Sequence, residues 1–249
     1  MTRVVLLSGL LLTLGCSSED EPERTRAEFC EDWADAACSE ETVSRCQAAD
    51  AAACKLSQTS FCLDLVPDGF EDTSGDACIR AVRSAYADGD LSAAELRTVL
   101  RLDTPCDRLV RGPAGEGETC DSDQDCATPD GFVCVLKGGA TSGTCQQPEE
   151  VEPGTSCSAA QQVCSEGFYC NGANCIAHLA AGAACTSNEE CGPAARCLAG
   201  TCDERLMVSE SCISDDECIS GVCFQFADGQ RCTDRLPLSP SEPLCDDLS

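Results

Sequence analysis

The sequence predicts a small disulfide-rich protein, with an α-helical, disulfide-laced N-terminal domain followed by four short Cys-rich repeats with little regular structure. Three observations lead to this fold class. The chain of 249 residues contains 25 Cys but only one Trp, two Tyr and seven Phe, which is typical of folds in which disulfides replace a large aromatic core. Helix start signals concentrate in the first part of the chain. Beyond them, cysteines recur in groups of four.

The chain is strongly acidic, with a formal net charge of -28 from 16 Lys+Arg against 44 Asp+Glu. A nucleic-acid-binding protein needs a basic surface, so we expect no nucleic-acid partner. The negative charge favours solubility and repels the chain from anionic surfaces. It could also attract divalent cations or basic partners, but a solvated acidic coat is the simpler interpretation.

Residues 1–15 have the features of a lipoprotein signal peptide. Arg3 and the α-amine form a short positive region, and Val4–Leu14 form an apolar run that is too short to remain as a membrane-spanning helix. The run ends in LTLGC at Leu12–Cys16, which resembles a bacterial lipobox, although Thr13 occupies the position where that motif prefers Leu. The resemblance implies acylation of Cys16, and the membrane becomes a partner through this lipid anchor.

Export through such a signal also predicts the state of the other cysteines. Cys16 is followed by Ser17 and Ser18, and the absence of an Asp retention signal points to the outer membrane or cell surface of a Gram-negative bacterium. An ordinary secretory signal is the alternative, but no A-x-A pattern occurs near the cleavage region. Without Cys16 the chain has 24 cysteines, an even number that fits twelve disulfides in an oxidising compartment.

The predicted tether occupies residues 16–27, and the helical Cys-rich domain occupies residues 28–110. Helix signals at Thr25, Ser39 and Ser92 contribute to a prediction of four helices. These lie near residues 26–37, 40–54, 75–87 and 93–101. Five cysteines recur every eight residues from Cys30 to Cys62, and positions eight apart are rotated by about 80° on one helix. We therefore expect antiparallel helices that are cross-linked to one another.

Four repeats and a tail make up the rest of the chain. The repeats span residues 111–148, 149–178, 179–205 and 206–235, and a Pro-rich tail, expected to be extended, spans residues 236–249. The structural disulfide cysteines of the repeats are Cys120, Cys126, Cys134, Cys145, Cys157, Cys164, Cys170, Cys175, Cys185, Cys191, Cys197, Cys202, Cys212, Cys218, Cys223 and Cys232. We expect first-with-third and second-with-fourth pairing in each repeat, although the sequence does not determine the connectivity. Cys245 is expected to pair elsewhere in the protein.

The clearest copy of the repeat is Cys212–Cys223, which reads CISDDECISGVC. Its Cys-x5-Cys-x4-Cys spacing, with an acid before the second Cys and a Gly before the third, resembles the Dickkopf N-terminal cysteine-rich module. Similar arrays occur in surface lipoproteins of myxobacterial type, which the helical front half and the GEGETC sequence at Gly115–Cys120 also resemble. The likeness covers residues 112–232, and it implies a stapled surface lipoprotein. It does not carry over the receptor binding of the animal module.

Metal and redox chemistry have little support in the cysteine spacing. Zinc and iron–sulfur sites favour pairs such as Cys-x2-Cys, whereas the shortest gap here is four residues, as at Cys170/Cys175. The same spacing excludes a thioredoxin-like pair. Asp88–Glu95 matches the second half of an EF-hand loop, but Ser84 and Tyr86 fall where the leading ligands belong. A helix end followed by a capping box explains the same residues, so we predict no metal and no cofactor.

The sequence supports a surface protein more than an enzyme. His178 lies in a linker without a nucleophile motif nearby, so we interpret it as a surface residue and predict no catalytic residues. Our first hypothesis is a non-enzymatic, lipid-anchored surface protein whose repeats extend outward as a string to contact an unknown protein or glycan. The alternative is a protease inhibitor that presents a rigid loop, with residues 136–142 and 224–230 as the candidates.

Overall fold

The structure is a computed structural model that describes residues 24–137, 140–240 and 243–246. The predicted signal peptide and Cys16 lie outside the described residues. Within the part of the chain that the structure describes, no helix combines the length and apolarity needed to cross a bilayer.

Five helices form the N-terminal domain, and a sixth short helix follows in the tail. Their bounds are α1 Arg26–Ala37, α2 Glu40–Cys46, α3 Ala51–Leu65, α4 Gly75–Ala85, α5 Ala93–Arg101 and α6 Pro243–Asp246. Both predicted capping boxes are present, because Thr25 and Ser92 each exchange hydrogen bonds with the Glu three residues later. Ser39 caps α2 by accepting from the N–H of Thr42 at 3.1 Å.

The predicted single helix over 40–54 is wrong, because two helices occupy this region. Helix α2 ends at Cys46, and Gln47 adopts a left-handed conformation with φ of 53°, which a continuing α-helix cannot contain. Asp50 then starts α3 by accepting from the N–H of Ala53 at 2.8 Å. This second helix, α3, continues to Leu65 rather than stopping at 54.

Disulfides cross-link the helices in the way that the eight-residue spacing predicts. Cys30–Cys62 and Cys38–Cys54 join α1 to α3 with Cα–Cα distances of 5.4 and 5.9 Å. The earlier cysteine of α1 pairs with the later cysteine of α3, so the two helices run antiparallel. Between them the indole N–H of the fully buried Trp33 donates to the side-chain oxygen of Gln58 at 3.3 Å. A further bridge, Cys78–Cys106, joins α4 to the segment after α5.

The helical domain begins before residue 28, because Arg24 already contacts it. Its guanidinium donates to the carboxylates of Asp32, Asp72 and Asp76 at 2.7 to 2.8 Å. These acidic partners raise the pKa of Arg24, with the hydrogen bond from Asp72 as the largest cause. Arg24 and Thr25 therefore belong to the folded domain, although the sequence places them in the tether.

Short strands occur in all four repeats, and one further strand, β1, lies in the helical domain. In chain order they are β1 Asp90–Ser92, β2 Thr119–Cys120, β3 Val133–Val135, β4 Gly143–Gln146, β5 Glu149–Val151, β6 Gln162–Cys164, β7 Phe168–Cys170, β8 Cys175–Ala177, β9 Ala195–Leu198, β10 Thr201–Glu204, β11 Cys223–Phe226, β12 Gly229–Cys232 and β13 Arg235–Pro237. Antiparallel pairs β3–β4, β7–β8, β9–β10 and β11–β12 give each repeat one hairpin. This arrangement confirms the predicted fold class.

The disulfides of the repeats follow one pattern. The first cysteine pairs with the third in Cys120–Cys134, Cys157–Cys170, Cys185–Cys197 and Cys212–Cys223. The second pairs with the fourth in Cys126–Cys145, Cys164–Cys175, Cys191–Cys202 and Cys218–Cys232. The expected connectivity is confirmed, and it interlocks two loops in each repeat.

The array of repeats begins and ends on the helical domain. At its start, the N–H of Arg111 donates to the carbonyl of Gly69 at 2.7 Å. At its end, β13 pairs antiparallel with β1, with Leu236 opposite Leu91. Both leucines are buried in the core of the helical domain, so the expectation of a string that extends outward is wrong.

The tail closes the structure covalently. Cys245 pairs with Cys46, which is 199 residues earlier in the chain, so the expectation that the tail cysteine binds elsewhere is confirmed. Leu238 and Leu244 are buried in the same core as α1, and the N–H of Leu238 donates to the carbonyl of Gly89 at 2.9 Å. Within the described residues, the tail is thus part of the helical domain, and its β13 segment has the extended strand conformation expected.

Candidate functional site

The four repeats share one backbone turn, which lies three residues before the first cysteine. In each repeat the N–H of the turn residue donates to the carbonyl of the fourth cysteine at 2.8 Å. The four pairs are Gly117/Cys145, Gly154/Cys175, Gly182/Cys202 and Ser209/Cys232. Each turn residue has a positive φ, between 74° and 84°, a conformation that favours glycine. The repeats are therefore copies of one structural unit.

The carboxylates of CISDDECISGVC act on the backbone of their own repeat. Asp215 accepts from the N–H of Cys223 at 2.6 Å, and Glu217 accepts from the N–H of Ile213 at 2.8 Å. They are the first and last residues of a short 3-10 turn, Asp215–Glu217. These two carboxylates satisfy N–H groups in the loops that the disulfides close, so they have a structural role.

The first and third repeats contain the same pair of bonds. Asp123 and Asn188 accept from the N–H of Cys134 and Cys197 at 2.7 and 2.8 Å. Asp125 and Glu190 accept from backbone N–H groups after the first cysteine. Hydrogen bonds from the N–H groups of Asp121 and Ser122 lower the pKa of the Asp125 carboxyl. The recurring Ser-Asp/Asn-x-acid-Cys sequence is the signal that reveals these residues, and the second repeat, which has β6 there, lacks it.

Sulfur atoms cluster in each repeat, but as disulfides. Among the described residues, the groups close enough to hold a metal ion are Cys120/Cys126/Cys145, Cys157/Cys164/Cys175, Cys185/Cys191/Cys202 and Cys212/Cys218/Cys232. Every one of these sulfurs is bonded to another sulfur. Metal binding by cysteine requires a thiolate, so the clusters offer no ligands while the bridges are intact.

The three acids of the calcium candidate at Asp88–Glu95 each contact another group of the protein. Asp88 accepts from the N–H of Asp90 at 3.1 Å, and Glu95 accepts from the N–H and hydroxyl of Ser92 in the capping box. One carboxylate oxygen of Asp90 forms an ion pair at 3.0 Å with Arg235, 145 residues later in the chain, and the other is buried without a hydrogen-bond partner among the described residues. Tyr86, at a position where a calcium loop needs a ligand, is buried in the core with 1% of its surface exposed. The arrangement is a helix end followed by a helix start, as the capping interpretation predicts.

Basic side chains join successive repeats to one another. Lys137 of the first repeat donates from Nζ to the carbonyls of Cys157 and Gln162 in the second. Arg205 donates from the end of the third repeat to the carbonyl of Asp216 in the fourth. The chain has only 16 Lys+Arg, and several of them fasten one unit to the next.

His178 joins the second and third repeats, and its role differs from the surface position expected. Its Nδ1 lies 3.0 Å from the carbonyl oxygen of Glu189, and its ring stacks on Tyr169 with a centroid distance of 5.9 Å. The side chain is half-buried. Its sequence context contains no motif that would have indicated this contact, because the partner carbonyl belongs to the next repeat.

Basic residues also attach both ends of the array to the helical domain. Arg111 forms ion pairs with Glu71 of the helical domain and Asp130 of the first repeat, and these two acids raise its pKa. At the other end, Arg97 and Arg101 of α5 donate to the carbonyls of Ser220 and Gly221 in the fourth repeat. The repeats are therefore held in a fixed arrangement relative to the helical domain.

Comparison of the chain with protein-family models, with curated proteins and with solved structures finds no match.

Proposed function

We propose that the chain is a non-enzymatic, lipid-anchored cell-surface protein that presents a fixed array of disulfide-stapled repeats to a protein or glycan partner. The anchor in this proposal is Cys16, in the outer membrane of a Gram-negative bacterium, as in the surface lipoproteins of myxobacterial type that the sequence resembles. One observation carries it. The twelve disulfides account for 24 of the 25 cysteines, all but Cys16, which lies outside the described residues.

The disulfides support this proposal because they fit an exported protein. Paired thiols persist in oxidising compartments and are reduced in the cytosol. An even number of exported cysteines allows every one of them to form a disulfide, and the cysteines of the described residues are all paired in this way. The leftover cysteine is the one that the lipobox assigns to acylation, and an acylated thiol needs no disulfide partner. Lipoprotein modification adds more than one acyl chain, as stable anchoring requires.

The fixed geometry of the array supports display rather than protease inhibition. An inhibitory loop needs an exposed side chain that can enter a protease cleft, but Lys137 in the first candidate loop is held by two carbonyls of the next repeat. The second candidate loop is the β11–β12 hairpin, whose Phe224 and Phe226 pack against the core of the helical domain. These contacts favour the display function among the two hypotheses.

Mass spectrometry of the protein isolated from native membranes tests the proposal. We expect an N-terminal peptide that begins at Cys16 and carries a diacylglycerol and an amide-linked acyl chain, with all other cysteines in disulfides. A Cys16→Ser variant is expected to lack the acylated N-terminal peptide while its disulfides still form. An unacylated Cys16 in the native protein, or free thiols at several of the other positions, contradicts the proposal.

A further inference from the structure

The first three repeats together form a groove of about 230 Å³. The first repeat contributes Lys137, the second contributes Tyr169 and His178, and the third contributes Glu189. The volume is below the roughly 300–1,000 Å³ of pockets that bury drug-sized ligands. A groove of this size suits one ring of a larger molecule rather than a whole cofactor.

Two stacked rings form the aromatic part of this groove. The Tyr169 and His178 rings are nearly parallel, with an interplanar angle of 15°, and both are half-buried rather than part of a core. The chain has only two Tyr and one His, and one of these Tyr and the His both line the groove. An aromatic ring that is partly open to solvent offers an apolar face and a polar edge to a ligand.

A basic residue, Lys137, and an acidic residue, Glu189, line the groove beside these rings. Lys137 has three N–H donors, and two carbonyls accept from its ammonium, which leaves one donor for a ligand. Nδ1 of His178 lies within hydrogen-bond distance of the Glu189 carbonyl oxygen, so Nε2 remains available to a ligand. Desolvation lowers the pKa of Lys137 and raises that of the Glu189 carboxyl. Ionisable groups perturbed by desolvation cluster at functional sites, and here they accompany a groove.

We propose that this groove binds a neutral sugar ring of a surface glycan. An anion would meet the Glu189 carboxylate, and a cation would meet the Lys137 ammonium. The hydroxyls of a neutral sugar donate and accept, so they can pair with both groups and with Nε2 of His178, while the apolar face of the ring stacks on Tyr169. This inference rests on the proposed surface display, whose partner class it names.

Isothermal titration of the full-length protein, purified in detergent with its disulfides intact, tests the site. The neutral probes are maltotetraose, cellotetraose and the tetramer of N-acetylglucosamine; the charged probes are tetragalacturonate and the glucosamine tetramer. We expect at least one neutral probe to bind more tightly than both charged ones. Tyr169→Ala should weaken this binding by about tenfold or more, and Tyr169→Phe should change it by less than about twofold.

A matched control lies on the same hairpin. Ile176 is the cross-strand partner of Tyr169, is 37% exposed, and lies outside the groove lining, so Ile176→Ala should bind the neutral probe as the parent does. Absence of neutral binding in folded protein, preference for a charged probe, or equal losses in Tyr169→Ala and Ile176→Ala would overturn the proposal. Mass spectrometry measures the acylation of Cys16 separately from sugar binding, so loss of sugar binding alone leaves the proposal of a lipid-anchored protein intact.

Discussion

The N–H of Ser209 donates to the carbonyl oxygen of Cys232 at 2.8 Å, with Ser209 at φ of 74°. The other three repeats place glycine at this position with the same hydrogen bond. A residue with a Cβ is strained by about 1–2 kcal/mol in the left-handed region. Ser209 therefore stores strain that its three counterparts avoid.

We predict that Ser209→Gly stabilises the protein. Relief of the strain exceeds the extra chain entropy that glycine loses, about 0.5–1 kcal/mol, so a net gain of about 0.5–1 kcal/mol is expected. Urea unfolding with the disulfides intact measures the change. The reverse substitution, Gly182→Ser, is the matched control and should destabilise the third repeat, where a Cβ meets no steric obstacle. A Ser209→Gly variant that unfolds at lower urea than the parent contradicts the prediction.

Asp215 and Asp216 are adjacent, but we predict different effects on replacing them. Asp215→Ala removes the acceptor of the Cys223 N–H and an ion pair with Arg101, so it should cost about 1–2 kcal/mol. The Asp216 carboxylate accepts a hydrogen bond from the exposed hydroxyl of Ser214. Asp216→Ala should therefore cost less than about 0.5 kcal/mol of stability.

Thermal unfolding of both variants, with and without calcium, measures this difference. Calcium should leave the melting temperature of the parent unchanged, because the carboxylates of Asp215 and Glu217 already accept backbone hydrogen bonds. A ligand that bound the folded state would raise the melting temperature. Equal losses in the two variants would contradict the predicted difference. A calcium-dependent rise in melting temperature that Asp215→Ala abolishes would indicate a metal site instead.

The stability of the first repeat should decrease in acid. The pKa of Asp125 is lowered in the folded protein by the N–H groups of Asp121 and Ser122, relative to an ordinary value of about 3.9. The carboxylate therefore stabilises the fold fully above that ordinary value, and this contribution is lost as the pH falls through the lower folded pKa.

Amide hydrogen exchange of Asp121 and Ser122 as a function of pH measures this loss. Protection, corrected for the intrinsic rate, should decrease below about pH 4 in the parent. In an Asp125→Asn variant it should be lower at neutral pH and depend less on acid, because the amide does not titrate in this range. Unchanged acid dependence in the variant would assign the effect to other carboxylates.

Replacing Cys46 and Cys245 together by Ser should release the tail. The bridge closes 199 residues, but other bridges already shorten that loop, so we expect a loss of about 2–4 kcal/mol rather than the full entropic value. The N–H of Leu238, bound to the carbonyl of Gly89, should then exchange faster. The double variant Cys185→Ser/Cys197→Ser should leave this exchange unchanged, because that bridge lies within the third repeat. Equal exchange of Leu238 in both variants would show that β1–β13 pairing alone holds the tail.

The sequence predicts the repeats well because their determinants are local. The spacing of four cysteines, a turn residue three positions earlier and an acid before the second cysteine all lie within one unit of the chain. Such short-range patterns fix both the loop lengths and the backbone groups that need partners. The α1 bounds and the two capping boxes were predictable for the same reason.

Features that depend on distant residues could not be predicted in this way. Leu91 and Leu236 are 145 positions apart, and neither carries a sign of its partner. His178 contacts a backbone carbonyl, a group that every residue has. Gln47 ends α2 in a left-handed conformation, although a Gln side chain gives no indication of this in the sequence.

The Cys46–Cys245 bridge also changes what a protease can achieve. Because the two ends of this long segment are covalently joined, a single cut anywhere between them opens a ring but releases no fragment. A nicked molecule keeps its full mass until the disulfide is reduced, and every repeat stays attached to the domain that follows Cys16. Damage to one exposed turn therefore leaves the remaining repeats in place.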